Sequence, residues 1–480
     1  MSYINSRSKR AGVWLALLCA FWGVALITPT LARAGGSAIR VAPPNGKDDT
    51  ASIQGALTAC VAQGPGCTVQ LAAGRYHTKQ LVTYNFQGTF KGMGMDSTGI
   101  EALPNLPVDI EPEGGVPESL CQPNTTTCRW PSLITFVNGE IHVSDLSVYI
   151  TAPPGTATSV WYFGGVAYVG LLDALVFKGQ HATVSVDRIH MEGLADPTNV
   201  YFGYNVVNAL HFTGEFPRSL TPWDWYFLSG SLRVRNSSFK TTFVGVSQDG
   251  FVTSSQITVG GSPSAGNQFE DVYGGIDIEA SEKSVVEISY NEASGIGSGM
   301  WVVPWQPVFA PTSRSQYLIH DNKFFSTGQY GEGMYLYDYI TNPWIQAEVW
   351  NNAIEVQDTL SEGFGIYNTK GTAAWNNNVT GSGGYDAIGL WGSTLAAVAG
   401  NDVSGFTPDP SVGLAQIYLD PSTTQDLVVC AEPSDTVLNQ GTNNLIIGCQ
   451  QPATTAEATI GRAAPDTSVP KPSLPKRKPF

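Results

Sequence analysis

Two carboxylates two residues apart in an alternating run are the clearest chemical feature of this sequence. In Ile276-Asp277-Ile278-Glu279-Ala280 the isoleucines take one face of a strand, and Asp277 and Glu279 take the other. Two residues along a strand span ~6.5–7 Å. That lies within the ~6.5–9.5 Å between the acid and the base of an inverting glycosidase. Gln248 and Asp249 end an earlier run of the same kind and Asp338 ends a later one, so a wider carboxylate cluster is expected. Such a cluster raises the pKa of one member for general-acid work, or holds Ca²⁺ through its oxygens. The competing reading is a solvated acidic face on an acidic protein.

A repeat must position these groups. The pattern of an apolar strand, an Asn, and a second apolar strand recurs at Asn267, Asn291, Asn322, Asn352, Asn377 and Asn401, with separations of 24, 31, 30, 25 and 24 residues. Earlier segments around Val143, Val184 and Val234 echo it. The runs alternate with period two and are rich in Val, Ile, Tyr, Trp and Gly, which excludes helical repeats. The Leu-x-x-Leu-x-Leu signature of leucine-rich repeats is absent. What remains is a solenoid of parallel strands, one coil every ~4.8 Å. The Asn suits the bend, because it tolerates left-handed angles and its amide can bond to the next Asn in the stack.

The strands that follow the variable loops read Phe243–Gln248, Ile276–Ala280, Met300–Pro304, Met334–Asp338, Phe364–Asn368, Ile388–Gly392 and Ala415–Leu419. Alternation points Val246, Ile278, Val302, Leu336, Ile366, Leu390 and Ile417 inward. One outward column is then Ser247, Glu279, Val303, Tyr337, Tyr367, Trp391 and Tyr418. The other is Gly245, Asp277, Trp301, Tyr335, Gly365, Gly389 and Gln416. Tyr335, Tyr337, Tyr367, Trp391 and Tyr418, with Trp301 and Gln248, are the expected sugar contacts, since aromatic faces stack on sugar rings. The alternative is that these rings stack on one another or lie under a loop. His320, Trp350 and Trp375 read as surface packing on another face. Long insertions at 104–130, 152–180, 195–230 and 304–316 carry tryptophans and read as packed walls beside the strands.

The chain ends set the compartment. Arg7, Lys9 and Arg10 precede an apolar stretch from Ala11 to about Ile27, and Ala32-Arg33-Ala34 offers a cleavage site. Residues 1–34 therefore read as a secretory signal peptide. Arg7, Lys9, Arg10 and Arg33 leave with it and no acid does, so the −15 of the whole chain becomes −19. That charge excludes a cationic nucleic-acid binder. After cleavage no membrane contact is expected. Six cysteines remain, and proximity pairs Cys60 with Cys67, Cys121 with Cys128, and Cys430 with Cys449. No Cys-x-x-Cys spacing points to a metal. Apolar Ile53, Ala56, Leu57, Cys60 and Val61 mark a helix that Asp49 or Thr50 caps. Residues 35–452 form the solenoid, and the Pro-rich basic segment 453–480 reads as disordered. A chain that is 42% hydrophobic, 11% aromatic and only 14% charged is neither disordered nor a coiled coil.

Asp49-Thr50-x-x-Ile53-Gln54 opening a helix, then Thr68-Val69-x-Leu71-x-x-Gly74-x-Tyr76, then Phe90-Lys91-Gly92-Met93-Gly94, resembles the entry segment of pectin-lyase-like right-handed parallel β-helix proteins. With the coils, the resemblance covers roughly residues 40–450. It implies an all-β fold, a single right-handed parallel β-helix with a short N-terminal capping helix. It also implies a saccharide site along the sheet called PB1, which the strands above would form. The machinery of that group does not carry over. The Asp-Asp, Gly-His-Gly and Arg-x-Lys of polygalacturonases are absent from PB1, as are the Arg of pectate lyases and the Asp-Pro-His-Asp of mannuronan epimerases. No Gly-x-Ser-x-Gly elbow supports serine hydrolysis. The expected function is an exported enzyme cleaving glycosidic bonds of a polysaccharide or oligosaccharide. Asp277 and Glu279 would be its acid and base, with Asp249 or Asp338 assisting and no cofactor. Two other readings stand beside it: a non-catalytic glycan-binding or structural protein, and a Ca²⁺-dependent uronate lyase. The sequence carries no marker of oligomeric state.

Overall fold

The computed structural model describes residues 38–451 except 105–111, 114–129, 152–159, 164–165, 170–172, 196–203, 214–226, 250, 253–254, 280–282, 303–313, 328–331, 339–344, 358–361, 383, 410 and 412–414. The signal segment, the C-terminal tail and the Cys121–Cys128 pair lie outside the described residues.

Three parallel ladders run through the chain, and each coil contributes one short strand to each. One ladder starts at Ala38–Arg40 and Cys67–Gln70 and ends at Leu427–Val429 and Leu445–Ile447. A second passes through Gly74–Thr78, Thr98–Ala102, Lys323–Ser326 and Ala353–Gln357. The third is PB1. It runs through Asn208–Thr213, Met334–Tyr337, Phe364–Tyr367, Ile388–Trp391, Ile417–Leu419 and Val437–Asn439. Long strands such as Asp173–Glu192 and Gln268–Ile278 bend and serve two or three ladders in turn. The alternating apolar residues meet inside the coils in one continuous core from Val41 to Val437.

The repeated asparagines form a ladder inside the bend. Each side-chain amide donates to the next carbonyl: Asn267 to Asn291, Asn291 to Asn322, Asn322 to Asn352, Asn352 to Asn377 and Asn377 to Asn401, at 2.9–3.0 Å. All six are buried. The left-handed residue is the one before the ladder Asn: Tyr290, Asp321, Asn351, Asn376 and Gly400 have φ of 59°, 55°, 55°, 54° and 62°. The bend thus separates two tasks, a strained outer residue and a hydrogen-bonding inner one.

The helix α1, Thr50–Gln63, buries Ile53, Ala56, Leu57 and Cys60 against the first coils. Asp49 stands at its N-cap, but its carboxylate accepts the amides of Asn45 and His77 instead of a helix N–H. Its backbone carbonyl accepts the amides of Ser52 and Ile53, while Asp48 accepts that of Thr50. Disulfides join Cys60 to Cys67 and Cys430 to Cys449, two of the pairings that proximity gave. Such bonds fit an exported protein. The first ties α1 to the strand it covers across 7 residues. Replacing both cysteines with serine is expected to cost about 2–3 kcal/mol, read as a lower denaturation midpoint. An unchanged midpoint would mean that the apolar face alone holds α1.

Three expectations are corrected by the fold. The segments 152–180 and 195–230 are not insertions throughout, because the strand Asp173–Glu192 begins in the first with its PB1 part and the PB1 strand Asn208–Thr213 lies in the second. Their alternation, Leu175-Val176-Phe177-Lys178 and Leu210-His211-Phe212-Thr213, matches that of Ile276–Glu279. Second, the column register slips by two at both ends: Val246 pairs with Ile276 and Ile417 with Ile388. Ser247 therefore joins Asp277, and Tyr418 joins Gly389. Third, Gln248 faces inward. It pairs with Phe212 and Ile278, is fully buried, and accepts the Glu279 amide through Oε1. It supports backbone and does not face a ligand.

Candidate functional site on PB1

The outer side of PB1 carries two columns whose first half holds the ionisable Lys178, His211, Asp277 and Glu279. One reads Val176, His211, Ser247, Asp277, Trp301, Tyr335, Gly365, Gly389 and Tyr418. The other begins Lys178, Thr213 and Asp249. Glu279 follows Asp249, because its amide bonds to the Gln248 carbonyl. It resumes at Tyr337, Tyr367 and Trp391. The side chain of Asp249 lies outside the described residues.

Asp277 and Glu279 share one strand end, and only 2% and 5% of their surface is exposed. They are not a solvated acidic face. Coil by coil they continue a polar patch of His211, Ser247, Lys178 and Thr213, all buried. Burying so many polar groups together is costly unless they pair or serve a ligand. His211 is held from behind: its Nδ1 lies 2.9 Å from Asp173 Oδ2. Asp173 Oδ1 accepts both the backbone and the side-chain N–H of Asn208 at 3.0 Å. Asp173, Lys178 and His211 were missed because their segments read as insertions. The Leu-His-Phe-Thr alternation was the available signal.

The aromatic half is a buried stack and not an open platform. Tyr335, Tyr367, Trp391 and Tyr418 are 8%, 6%, 7% and 2% exposed. Ring centroids are 4.8 Å apart for Tyr335–Tyr367, 5.9 Å for Tyr367–Trp391 and 4.9 Å for Trp391–Tyr418. Trp301 and Tyr337 are half-buried and keep partly open surface. The stack closes because its polar edges have an acceptor. Glu362 accepts the Tyr367 hydroxyl at 2.9 Å and Trp391 Nε1 at 3.1 Å. Gly365 and Gly389 leave room for that carboxylate, since a Cβ at either would come within 2.8 and 3.0 Å of Glu362 Oε2.

Glu362 belongs to a repeat that sequence reasoning did not register. Glu332, Glu362 and Asp386 occupy successive coils and are all buried, each five residues before Tyr337, Tyr367 or Trp391. Burial, then Glu362, Glu332 and Tyr335, pushes the Tyr367 phenol well above its ordinary range. Burial and Glu332 also push Tyr273 up. These phenols stay protonated donors at neutral pH and offer no phenolate base. Asp338 lies against Tyr337, whose phenol is raised by burial and then by Asp338. Asp338 follows Tyr337 at the end of its strand and is fully buried. Glu362→Ala is expected to cost about 3–5 kcal/mol by stranding two buried donors. Glu362→Gln, which can turn its oxygen to Trp391 and donate to Tyr367, is expected to cost under about 1.5 kcal/mol. Denaturant midpoints separate these outcomes. Equal losses would place the charge, and not the hydrogen bonds, at the centre of the stack.

Among the described residues, no group of three or more His, Cys, Asp or Glu side chains is placed to hold a metal ion.

The ladders define a stacked parallel coil with a polar centre on one face. No protein-family model matches the chain, and no curated protein sequence matches it. Solved structures do match. The A-module of mannuronan C-5 epimerase AlgE4 from Azotobacter vinelandii is 15% identical, with 87% of this chain and 97% of that chain covered, at a TM-score of 0.48. DFA-IIIase from Arthrobacter chlorophenolicus A6, in complex with DFA-III, is 12% identical over 82% and 94%, at 0.45. The periplasmic alginate epimerase AlgG is 12% identical over 80% and 77%, at 0.41. These are right-handed parallel β-helix proteins, as the entry segment of this chain led one to expect. At such identities and scores the likeness says nothing of substrate or reaction.

Proposed function

We propose that this protein is an exported carbohydrate-active enzyme on a right-handed parallel β-helix, and that it cleaves a glycosidic bond of a polysaccharide at the polar half of PB1. The observation that carries this reading is the pair Asp277 and Glu279, buried together on one strand face beside His211, Ser247 and Lys178. One carboxylic acid protonates the glycosidic oxygen as the leaving sugar departs. The other carboxylate takes a proton from the attacking water, for which a separation of ~6.5–7 Å leaves room. Trp301, next to Asp277 in its column, and Tyr337 offer the partly open aromatic surface for a sugar ring. The buried rings beyond them form the wall.

Lys178 and His211 favour a second reading, β-elimination on a uronate polymer. A base must then remove the proton next to the carboxylate, and a cation must neutralise that carboxylate. The two readings leave different products. Incubation with neutral and acidic polysaccharides, followed by reducing-end release and ultraviolet absorbance, distinguishes them. Release without absorbance supports hydrolysis, and release with absorbance supports elimination. Binding without release from any polymer would overturn both in favour of a glycan-binding protein.

A further inference from the structure

Ser247 is the least explained group on PB1. It is 1% exposed, and its Oγ has no hydrogen-bond partner among the described residues. A buried hydroxyl without a partner calls for a reason. Its ladder neighbour on the preceding coil is His211, Cα opposite Cα, and parallel neighbours stand ~4.8 Å apart. On the far side of that imidazole, one coil earlier still, is Asp173. Asp173, His211 and Ser247 thus occupy three successive coils in the order acid, imidazole, hydroxyl.

The hydrogen bonds fix the roles. Asp173 Oδ1 is occupied by two N–H donors from Asn208, which leaves Oδ2 as the acceptor facing His211 Nδ1. The proton on that imidazole therefore sits on Nδ1, and Nε2 carries the lone pair. With Nδ1 turned back to the earlier coil, Nε2 lies on the side of the ring away from Asp173. Asp173 and His211 thus have the disposition of orienter and base in nucleophilic acyl transfer, which is recognised by geometry and not by a sequence elbow; Ser247 Oγ and His211 Nε2 do not bond to each other here, so the serine side chain must turn toward the imidazole to react.

We propose that Ser247, His211 and Asp173 form a nucleophile, base and orienter that hydrolyse an acyl ester on a sugar hydroxyl. Ser247 Oγ attacks the ester carbonyl while His211 Nε2 takes the hydroxyl proton. The bond from carbonyl carbon to sugar oxygen breaks, and the sugar oxygen receives that proton from His211. Water then attacks the acyl-serine, its proton passing to His211 and on to the serine oxygen. The sum is ester plus water giving alcohol plus carboxylic acid. Lys178 and Thr213, in the adjoining column, are the nearby donors for the oxyanion. Asp173 is a positioning residue. The sugar part of the substrate rests on the carbohydrate reading above, but the ester chemistry does not.

The test uses the full chain and p-nitrophenyl acetate, a probe without a glycosidic bond, so glycan cleavage does not enter the readout. Wild type is expected to hydrolyse it, and Ser247→Ala to lose about 10³-fold or more in kcat with an unchanged melting temperature. Asp173→Asn is expected to lower kcat more than it raises KM, and to flatten the pH profile that His211 imposes. Independently of any variant, a fluorophosphonate is expected to add its mass to the peptide containing Ser247. Hydrolysis that survives Ser247→Ala, a wild type without esterase turnover, or a phosphonate that leaves Ser247 unlabelled would each overturn the proposal.

Discussion

Asp277→Asn is expected to lower the rate of glycan cleavage by about 10²–10⁴-fold, the usual worth of a positioned acid or base. Binding of the same polymer should persist. Asparagine matches aspartate in volume and keeps an acceptor, so the buried position between Ser247 and Trp301 does not have to repack. What it loses is the capacity to give or take a proton in the reaction. Glu279→Gln should act in the same direction. Because the two carboxylates serve one step, the double variant should be little slower than the worse single one. Lys178→Met divides the two chemistries. It should abolish an unsaturated, ultraviolet-absorbing product if elimination is the reaction, and leave hydrolytic release largely intact if it is not. The assay is reducing-end release beside a direct binding measurement. Full turnover by Asp277→Asn would remove the pair from the chemistry, and lost binding would assign Asp277 to substrate contact instead.

The fold was legible because its two periods are explicit in the chain. Asn267 to Asn401 mark the coils, and alternation marks the inner face of each strand. The site was legible only in part, for a physical reason. A one-residue slip turns every side chain to the wrong face and announces itself, whereas a two-residue slip keeps every side chain on its face and changes only its neighbour. Tyr418 was thus expected beside Trp391 and stands in the column of Gly389. Ser247 was expected beside Glu279 and stands beside Asp277. The coils before Asn267 keep the left-handed bend at Asp145, Arg188 and Asn236 but carry Leu146, Ile189 and Ser237 where the later coils have the ladder Asn. Without it, the strands bearing Lys178 and His211 merged with the insertions around them. Exposure was harder still to read. Tyr367 and Trp391 look like sugar platforms until Glu362, five and twenty-nine residues away in the chain, is found accepting both polar edges.

The asparagine ladder makes the second large prediction. Asn322 Oδ1 accepts the backbone and side-chain N–H of Asn291, both at 3.0 Å. Its Nδ2 donates to the Ile288 carbonyl at 2.8 Å and to Asn352 Oδ1 at 2.9 Å. Asn322→Ala strands the buried Asn291 backbone N–H, takes one of three acceptors from Asn291 Nδ2, which keeps the Val259 and Ser289 carbonyls, and leaves Ile288 short of one bond, at about 1–3 kcal/mol for each unsatisfied group. A loss of about 3–5 kcal/mol is expected, near the upper end for a single substitution. Asn401 ends the row: among the described residues its Nδ2 reaches only the Ala374 carbonyl, with no further asparagine. Asn401→Ala should therefore cost less than Asn322→Ala, although both remove the same atoms. Stacked coils need not unfold all at once, so hydrogen exchange at the flanking bends is the sharper measurement. Loss of protection should spread from Asn322 to the amides of Asn291 and Asn267, each of which donates to the asparagine after it. Protection lost only at the substituted bend, with equal costs at Asn322 and Asn401, would mean that each asparagine serves its own turn and that the row adds nothing along the stack.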